Sequence, residues 1–144
     1  NMLQQALLKP EDFDVIVTTN QNGDYLADML TAQVGGIGIL PAANLNQEVA
    51  FFEPTHGTFS RIAGKNMANP TSSILSGVMM LRFMNWHEAA DSIEQALSQT
   101  LEAAELTFDL HQDNESVTYN EEERESPIIL SCSEFADKII GRLM

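Results

Sequence analysis

The chain has 144 residues, the length of one domain, and 44% of them are hydrophobic, a globular rather than a disordered composition. Acidic residues number 21 and basic residues 7, and the net charge of −14 excludes a nucleic-acid binder working by phosphate neutralisation and argues against docking on an anionic membrane. A single cysteine, Cys132, excludes an internal disulfide framework and a cysteine-rich zinc site, and it fits a reducing compartment.

The first residues, Asn1 to Leu8, lack the cationic region of a signal peptide and read as the middle of an amphipathic helix. The chain is therefore expected to be an excerpt or a truncated product of something longer. A helix over 2–9 stops before Pro10. Phe13 to Thr19 is apolar and β-branched, the mark of a buried strand. Asn22-Gly23 reads as a turn, and 24–34 as a helix ended by Gly35 and Gly36. A short apolar run, 37–40, follows, then a strand over 50–53 and a turn at Pro54–Gly57. Residues 58–69 read as an irregular loop, and Pro70 suits the first turn of a helix. The apolar run 73–84 predicts a buried helix whose methionines pack in a core, and 86–104 predicts an amphipathic one. From 105 to 126 acids dominate, which predicts a solvated loop or weak hairpin. Ser133 to Met144 predicts a final helix with Ser133 as N-cap. No helix-forming run reaches the ~18 apolar residues needed to span a membrane. Strands alternating with helices indicate an α/β layer structure.

Two groups of residues could carry chemistry. Asp24 and Asp28 are one helical turn apart, which puts both carboxylates on one helix face. Hard oxygen ligands in that arrangement suit Mg²⁺ or Mn²⁺. The same pattern also arises when Asp24 merely complements a helix N-terminus and Asp28 faces solvent. The second group is Glu53-Pro54-Thr55-His56-Gly57-Thr58. A strand end followed by His-Gly-Thr offers exposed amides, a hydroxyl and a flat ring, which can hold a nucleotide; a lone histidine in a turn is more often a structural feature. Neither a Rossmann fingerprint nor a Walker sequence occurs. Cys132 and His111 fall in no nucleophile pattern.

The stretches FDVIVTTNQNGDYLADMLTAQVGGIGILPAANL and FFEPTHGTFSRIAGKNMANPTSSILSGVMMLRFMNWHEAAD resemble the isocitrate dehydrogenases, within the β-decarboxylating dehydrogenases. The ending CSEFADKII is similar to the bacterial NADP-dependent members. The resemblance covers nearly the whole chain except about residues 105–127, which stand out as an acidic insertion. It implies the C-terminal portion, residues 1–144, of an isopropylmalate/isocitrate dehydrogenase-like α/β fold. It implies that Asp24 and Asp28 bind Mg²⁺ or Mn²⁺, that His56, Gly57 and Thr58 hold the adenosine half of the cofactor, and that Asn69 contacts the adenine. The implied reaction is oxidative decarboxylation of isocitrate to 2-oxoglutarate, in the cytoplasm, by a homodimer whose sites are shared between subunits. Neither nucleic acid nor membrane enters as a partner.

Departures from the family pattern matter. Its third metal aspartate aligns just before Asn1, and the carboxylate-clamping arginines, the catalytic tyrosine and the lysine from across the dimer all align upstream. No catalytic residue is therefore assigned within the chain. Arg61 and Lys9 match basic residues of the NADP enzymes and favour NADP. Ile62 stands in place of their tyrosine and favours NAD. A further tyrosine and arginine map, without gaps, to Phe108 and Gln112, or with a gap to the neighbourhood of Tyr119 and Arg124. The alternatives are an NAD-dependent isocitrate or isopropylmalate dehydrogenase, and an inactive remnant that binds nucleotide or pairs with a full-length subunit.

Overall fold

The computed structural model describes residues 1–115 and 127–143, and the side chains of 1–111 and 127–143. Helix α1 (Met2–Leu8) leads through a 3₁₀ turn at Pro10–Asp12 into an extended segment, then into α2 (Asn20–Thr31). The expected buried strand over 13–19 is not formed. Val15 is 82% and Val17 93% exposed, and the segment joins neither sheet. A β-branched run becomes a strand only when a neighbour supplies a ladder, and no described residue does so here. A hollow of about 540 Å³, lined by Leu3, Phe13, Val15, Val17 and Tyr25, lies under this segment.

Asn22-Gly23 is not a turn either. It lies inside α2, which starts at Asn20 after an extended Thr19. An added Cβ at Gly23 would stand 3.2 Å from Thr18 Cγ2, a close contact that the exposed threonine side chain would have to relieve. Helix α2 ends at Thr31, three residues earlier than expected. The Gly36 N–H bonds back to the Thr31 carbonyl, and Gly35 and Gly36 take the positive φ values that end the helix and turn the chain. The apolar run then forms a 3₁₀ turn at Ile37–Ile39.

β1 (Pro41–Leu45) pairs antiparallel with β2 (Ala50–Pro54), Pro41 opposite Pro54. Asn46 closes this hairpin, its Oδ1 accepting the N–H groups of Glu48 and Val49. β1 was absent from the sequence expectation, because Pro-Ala-Ala-Asn has low strand propensity and pairs only through β2. Helix α3 (Thr71–Phe83) packs across the hairpin and against α4 (His87–Glu102). Its methionines are not uniformly core residues: Val78 is buried, Met79 is half-buried, and Met80 and Met84 are exposed. The buried stripe of α3 is carried instead by Thr71, Ser72, Ser76 and Val78.

The region expected to be a loop opens with real structure. β3 (Glu105–Thr107) pairs in parallel with β4 (Ile128–Leu130), and α5 (Phe108–Glu115) starts directly after β3. The rest of the predicted acidic insertion, residues 116–126, lies outside the described residues. Helix α6 (Cys132–Leu143) closes the fold. Its N-cap is Ser131 rather than Ser133. The Ser131 N–H and Oγ–H both donate to Glu134 Oε2, a capping-box arrangement that holds the Glu134 carboxyl below the usual range.

The core joins α4 and α6. Ala96, Leu97, Phe135 and Ile139 form its buried centre, with Ile74, Leu75, Leu101 and Leu130 packed around it. At its edge Glu105, only 6% exposed, meets Lys138 Nζ and Arg142 Nη2, each at 2.6 Å. The hydrogen bond from Lys138 is the main influence lowering its pKa, and Arg142 adds to it against the opposing effect of burial. A carboxylate with a lowered folded-state pKa stabilises the fold above its unfolded pKa, and this is lost as pH falls through the folded value. Glu105→Gln should therefore cost about 2 kcal/mol at neutral pH. The variant should also lose stability less steeply than the parent between about pH 5 and pH 3; denaturant titrations across that range check both.

Candidate functional site

The cofactor candidates gather where the α2 exit, the β2 exit and the α3 entrance meet. One backbone carbonyl, that of Leu40, ties these together. It accepts from Thr55 Oγ1 at 3.1 Å and from Ser72 Oγ, so the residue before His56 and the first turn of α3 share one anchor. From there the chain makes the loop His56–Lys65. His56 Nδ1 donates to the Gly57 carbonyl at 3.1 Å, and its ring lies 4.9 Å from that of Phe59. The bonds Ile62 N–H to Phe59 O, Ala63 N–H to Phe59 O and Lys65 N–H to Ile62 O wind the rest of the loop into tight turns.

Beside the loop is a cleft of about 250 Å³ between Gly35–Gly38, Phe59, Ile62, Ala68 and Phe108, with Asn69 and Asp109 in its wall. Asn69, 7% exposed, does two jobs. Its Oδ1 accepts the Thr71 N–H at 2.9 Å and so caps α3 ahead of Pro70. Its Nδ2 donates to Asp109 Oδ2 at 3.0 Å, while Thr107 Oγ1 donates to Asp109 Oδ1 at 2.6 Å. The amide keeps one N–H and the carboxylate keeps acceptor capacity. A donor beside an acceptor on an apolar wall can read the edge of a purine, and Phe59, Ile62 and Phe108 can cover its faces. Of the expected residues, Ile62 and Asn69 line this cleft, and His56, Gly57 and Thr58 line an adjoining one that also includes Ile62. Asp109, Phe59 and the glycine run 35–38 were not singled out as site residues. Only pairing with a distant amide could have marked Asp109 among so many acids.

Charge is distributed unevenly. Arg82 pairs with Asp91 and Glu94, and Lys138 and Arg142 pair with Glu105. Arg61 and Lys65, both exposed on the loop, pair with no described acid, in a chain of net charge −14. Such unneutralised cations suit a phosphate. Lys9, also unpaired, sits at the end of α1 and is not drawn to this loop by any described interaction.

Asp24 and Asp28 lie on α2, both exposed, and neither side chain is engaged by another described residue. Two free carboxylates one turn apart are a hard-oxygen donor pair that fits Mg²⁺ or Mn²⁺, each of which retains waters and takes further oxygen ligands. Among the described residues no group of three carboxylate, histidine or cysteine ligands assembles. The pair by itself therefore does not make a closed metal site.

This fold is shared with known proteins. The chain matches the isocitrate/isopropylmalate dehydrogenase family over residues 1–139 and belongs to it. It is 49% identical over 142 residues to the NADP isocitrate dehydrogenase of Pseudomonas aeruginosa, covering 99% of this chain and 32% of that one. It is 46% identical over 143 residues to the corresponding protein of Staphylococcus aureus, covering 98% and 32%. The isocitrate dehydrogenase structure from Methylococcus capsulatus superposes with a TM-score of 0.84 at 33% identity, over 99% of this chain and 38% of that one. The TT0538 protein of Thermus thermophilus superposes at 0.83 with 41% identity, over 99% and 26%. The chain thus spans about a third of the length of these curated relatives.

The tightest point of the cleft is Gly38, where an added Cβ would stand 2.7 Å from Asp109 Oδ2 and 3.2 Å from Asn69 Nδ2. Gly38→Ala should force the amide and carboxylate apart. The expected cost is about 1–3 kcal/mol in a denaturant melt.

Proposed function

We propose that the protein carrying this chain oxidatively decarboxylates isocitrate to 2-oxoglutarate with NADP, and that these residues supply its adenosine site and part of its metal site. The observation that carries the reading is the coincidence of two things. A purine-sized cleft walled by Asn69 and Asp109 lies beside a loop with two unneutralised cations. The chain that builds it aligns along 99% of its length with an NADP isocitrate dehydrogenase.

In this reading His56, Gly57 and Thr58 hold the adenosine ribose and phosphates, Asn69 and Ile62 bound the adenine, and Arg61 attracts the 2′-phosphate. Asp24 and Asp28 hold Mg²⁺ or Mn²⁺. When bound, the cation polarises the substrate hydroxyl oxygen and stabilises charge that develops as CO₂ leaves. The two aspartates fix its position on a rigid helix, so the substrate is presented in one orientation. NADP, held by these loop residues, would supply the hydride acceptor.

Two features support a homodimer in which a second copy completes the site. The metal pair is short of ligands among the described residues, and α1 exposes Leu3, Leu7 and Leu8 beside Lys9, a basic residue that its own loop does not use. Among the described residues no helix is long and apolar enough to cross a membrane. We place the protein in the cytoplasm, with a role in the tricarboxylic acid cycle, and the free Cys132 is compatible with a reducing compartment.

Ile62 is the feature that favours NAD instead, because an aliphatic side chain offers the 2′-phosphate no hydrogen bond. Arg61→Ala separates the two. It should raise the KM for NADP about ten-fold and leave that for NAD within about two-fold. Equal effects on both cofactors would remove Arg61 from 2′-phosphate recognition. Asp24→Asn and Asp28→Asn should each weaken Mn²⁺-dependent isocitrate binding by at least about ten-fold, measured calorimetrically with and without the ion. Unchanged binding at limiting Mn²⁺ would remove the pair from the metal site.

A further inference from the structure

The loop that carries His56, Gly57, Thr58 and Arg61 is exposed along most of its length, and a flexible loop binds poorly because ordering it opposes binding. One residue ties its far end to the core. Asn66 adopts the left-handed backbone conformation, φ 57°, which asparagine tolerates better than most residues. Its carbonyl accepts the Cys132 N–H at 2.8 Å. Its Oδ1 accepts the Ser133 N–H at 3.1 Å, and its Nδ2 donates to Ser133 Oγ at 2.8 Å. These bonds reach across 67 positions of sequence.

They fall on the first turn of α6, where N–H groups have no partner within the helix. Ser131 and Glu134 complete their own reciprocal cap there, so Asn66 takes the donors they leave. Helix α6 is in turn held by Phe135 and Ile139 in the core. Behind Asn66, the bonded turns from Lys65 to Ile62 and from Ile62 and Ala63 to Phe59 carry its position back along the loop. A cleft of about 420 Å³ lined by His56, Gly57, Thr58, Ile62, Asn66 and Cys132 lies between the two parts.

We propose that Asn66 is a positioning residue for dinucleotide binding. It latches the adenosine loop onto the start of α6, so that the loop amides and Arg61 are already in place before the ligand arrives. The latch deepens the nucleotide reading above and rests on it.

The test uses Asn66→Gly, Asn66→Asp and Ser133→Ala in the protein carrying this chain. Glycine keeps the left-handed conformation and the carbonyl bond to Cys132, and removes both side-chain bonds. Aspartate keeps an acceptor for the Ser133 N–H and can accept a hydrogen bond from the Ser133 hydroxyl. Ser133→Ala removes the partner hydroxyl and leaves Asn66 in place. Adenosine 2′,5′-bisphosphate, titrated calorimetrically without metal or substrate, is the probe, and amide hydrogen exchange of residues 57–65 is the second readout. Asn66→Gly should raise the Kd about five- to ten-fold and speed exchange in the loop. Asn66→Asp should bind within about two-fold of the parent, and Ser133→Ala should weaken binding about two- to three-fold. Under turnover, KM for the dinucleotide should rise in Asn66→Gly with kcat unchanged. Parent-like affinity and exchange in Asn66→Gly would overturn the latch while leaving the nucleotide site standing. Equal losses in Asn66→Gly and Asn66→Asp would overturn it too, since the retained acceptor would then count for nothing. Failure of the unaltered protein to bind the probe overturns the nucleotide reading, and the latch with it.

Discussion

Much of this structure depends on the close approach of the backbone at Gly38 to the pair formed by Asn69 and Asp109. Three stretches meet there: the turn after α2, the residue that caps α3, and the opening of α5. Asn69 can cap α3 and hold Asp109 at once only because no side chain at position 38 stands between them. Thr107 braces the other oxygen of Asp109. A buried amide such as that of Asn69 is costly unless it is satisfied, and its bonds to the Thr71 N–H and to the half-buried Asp109 do this, with one N–H and some acceptor capacity left to face the cleft.

The loop His56–Lys65 is framed at both ends by backbone carbonyls that do more than one job. Leu40 takes Thr55 and Ser72 at the start of the loop, and Asn66 gives its carbonyl and its amide to α6 at the end. Between these anchors the loop can stay exposed, as a ligand-binding segment must, without losing its shape. The electrostatics follow the same division. Arg82, Lys138 and Arg142 are spent on structural carboxylates, whereas Arg61 and Lys65 stay unpaired on the loop. In a chain so acidic, basic side chains left without an acid are where an anionic ligand is best received.

The first third of the chain has a different character. Val15 and Val17 face outward, the hollow beneath them is lined by apolar side chains, and α1 exposes leucines. Exposed apolar surface of this kind is what a further layer of protein covers. Asp24 and Asp28 are exposed on α2, the helix whose Tyr25 and Leu26 line that hollow.

Local sequence chemistry was enough for α3, α4 and α6 and for the end of α2, but not for α5, which forms where the sequence reads as a loop. The spacing of apolar residues in α4 and α6 and the glycines after α2 act within a few residues, and their consequences appear at or within three residues of the expected places. The two carboxylates on one helix face and the His-Gly-Thr turn were legible for the same reason, since their meaning lies in adjacent positions. Other features depended on residues far apart in sequence. Phe13–Thr19 reads as a buried strand but has no ladder to join, while Pro41–Leu45 lacks strand propensity and becomes a strand because β2 pairs with it. Asp109 was one acid among 21 until the fold set it against Asn69, and Asn66 was a loop residue until it met Ser133. A helix closes its hydrogen bonds within itself, so most of its signal lies in adjacent residues. Strands, buried polar pairs and loop anchors need a partner from elsewhere in the chain, and only the tertiary structure supplies that partner.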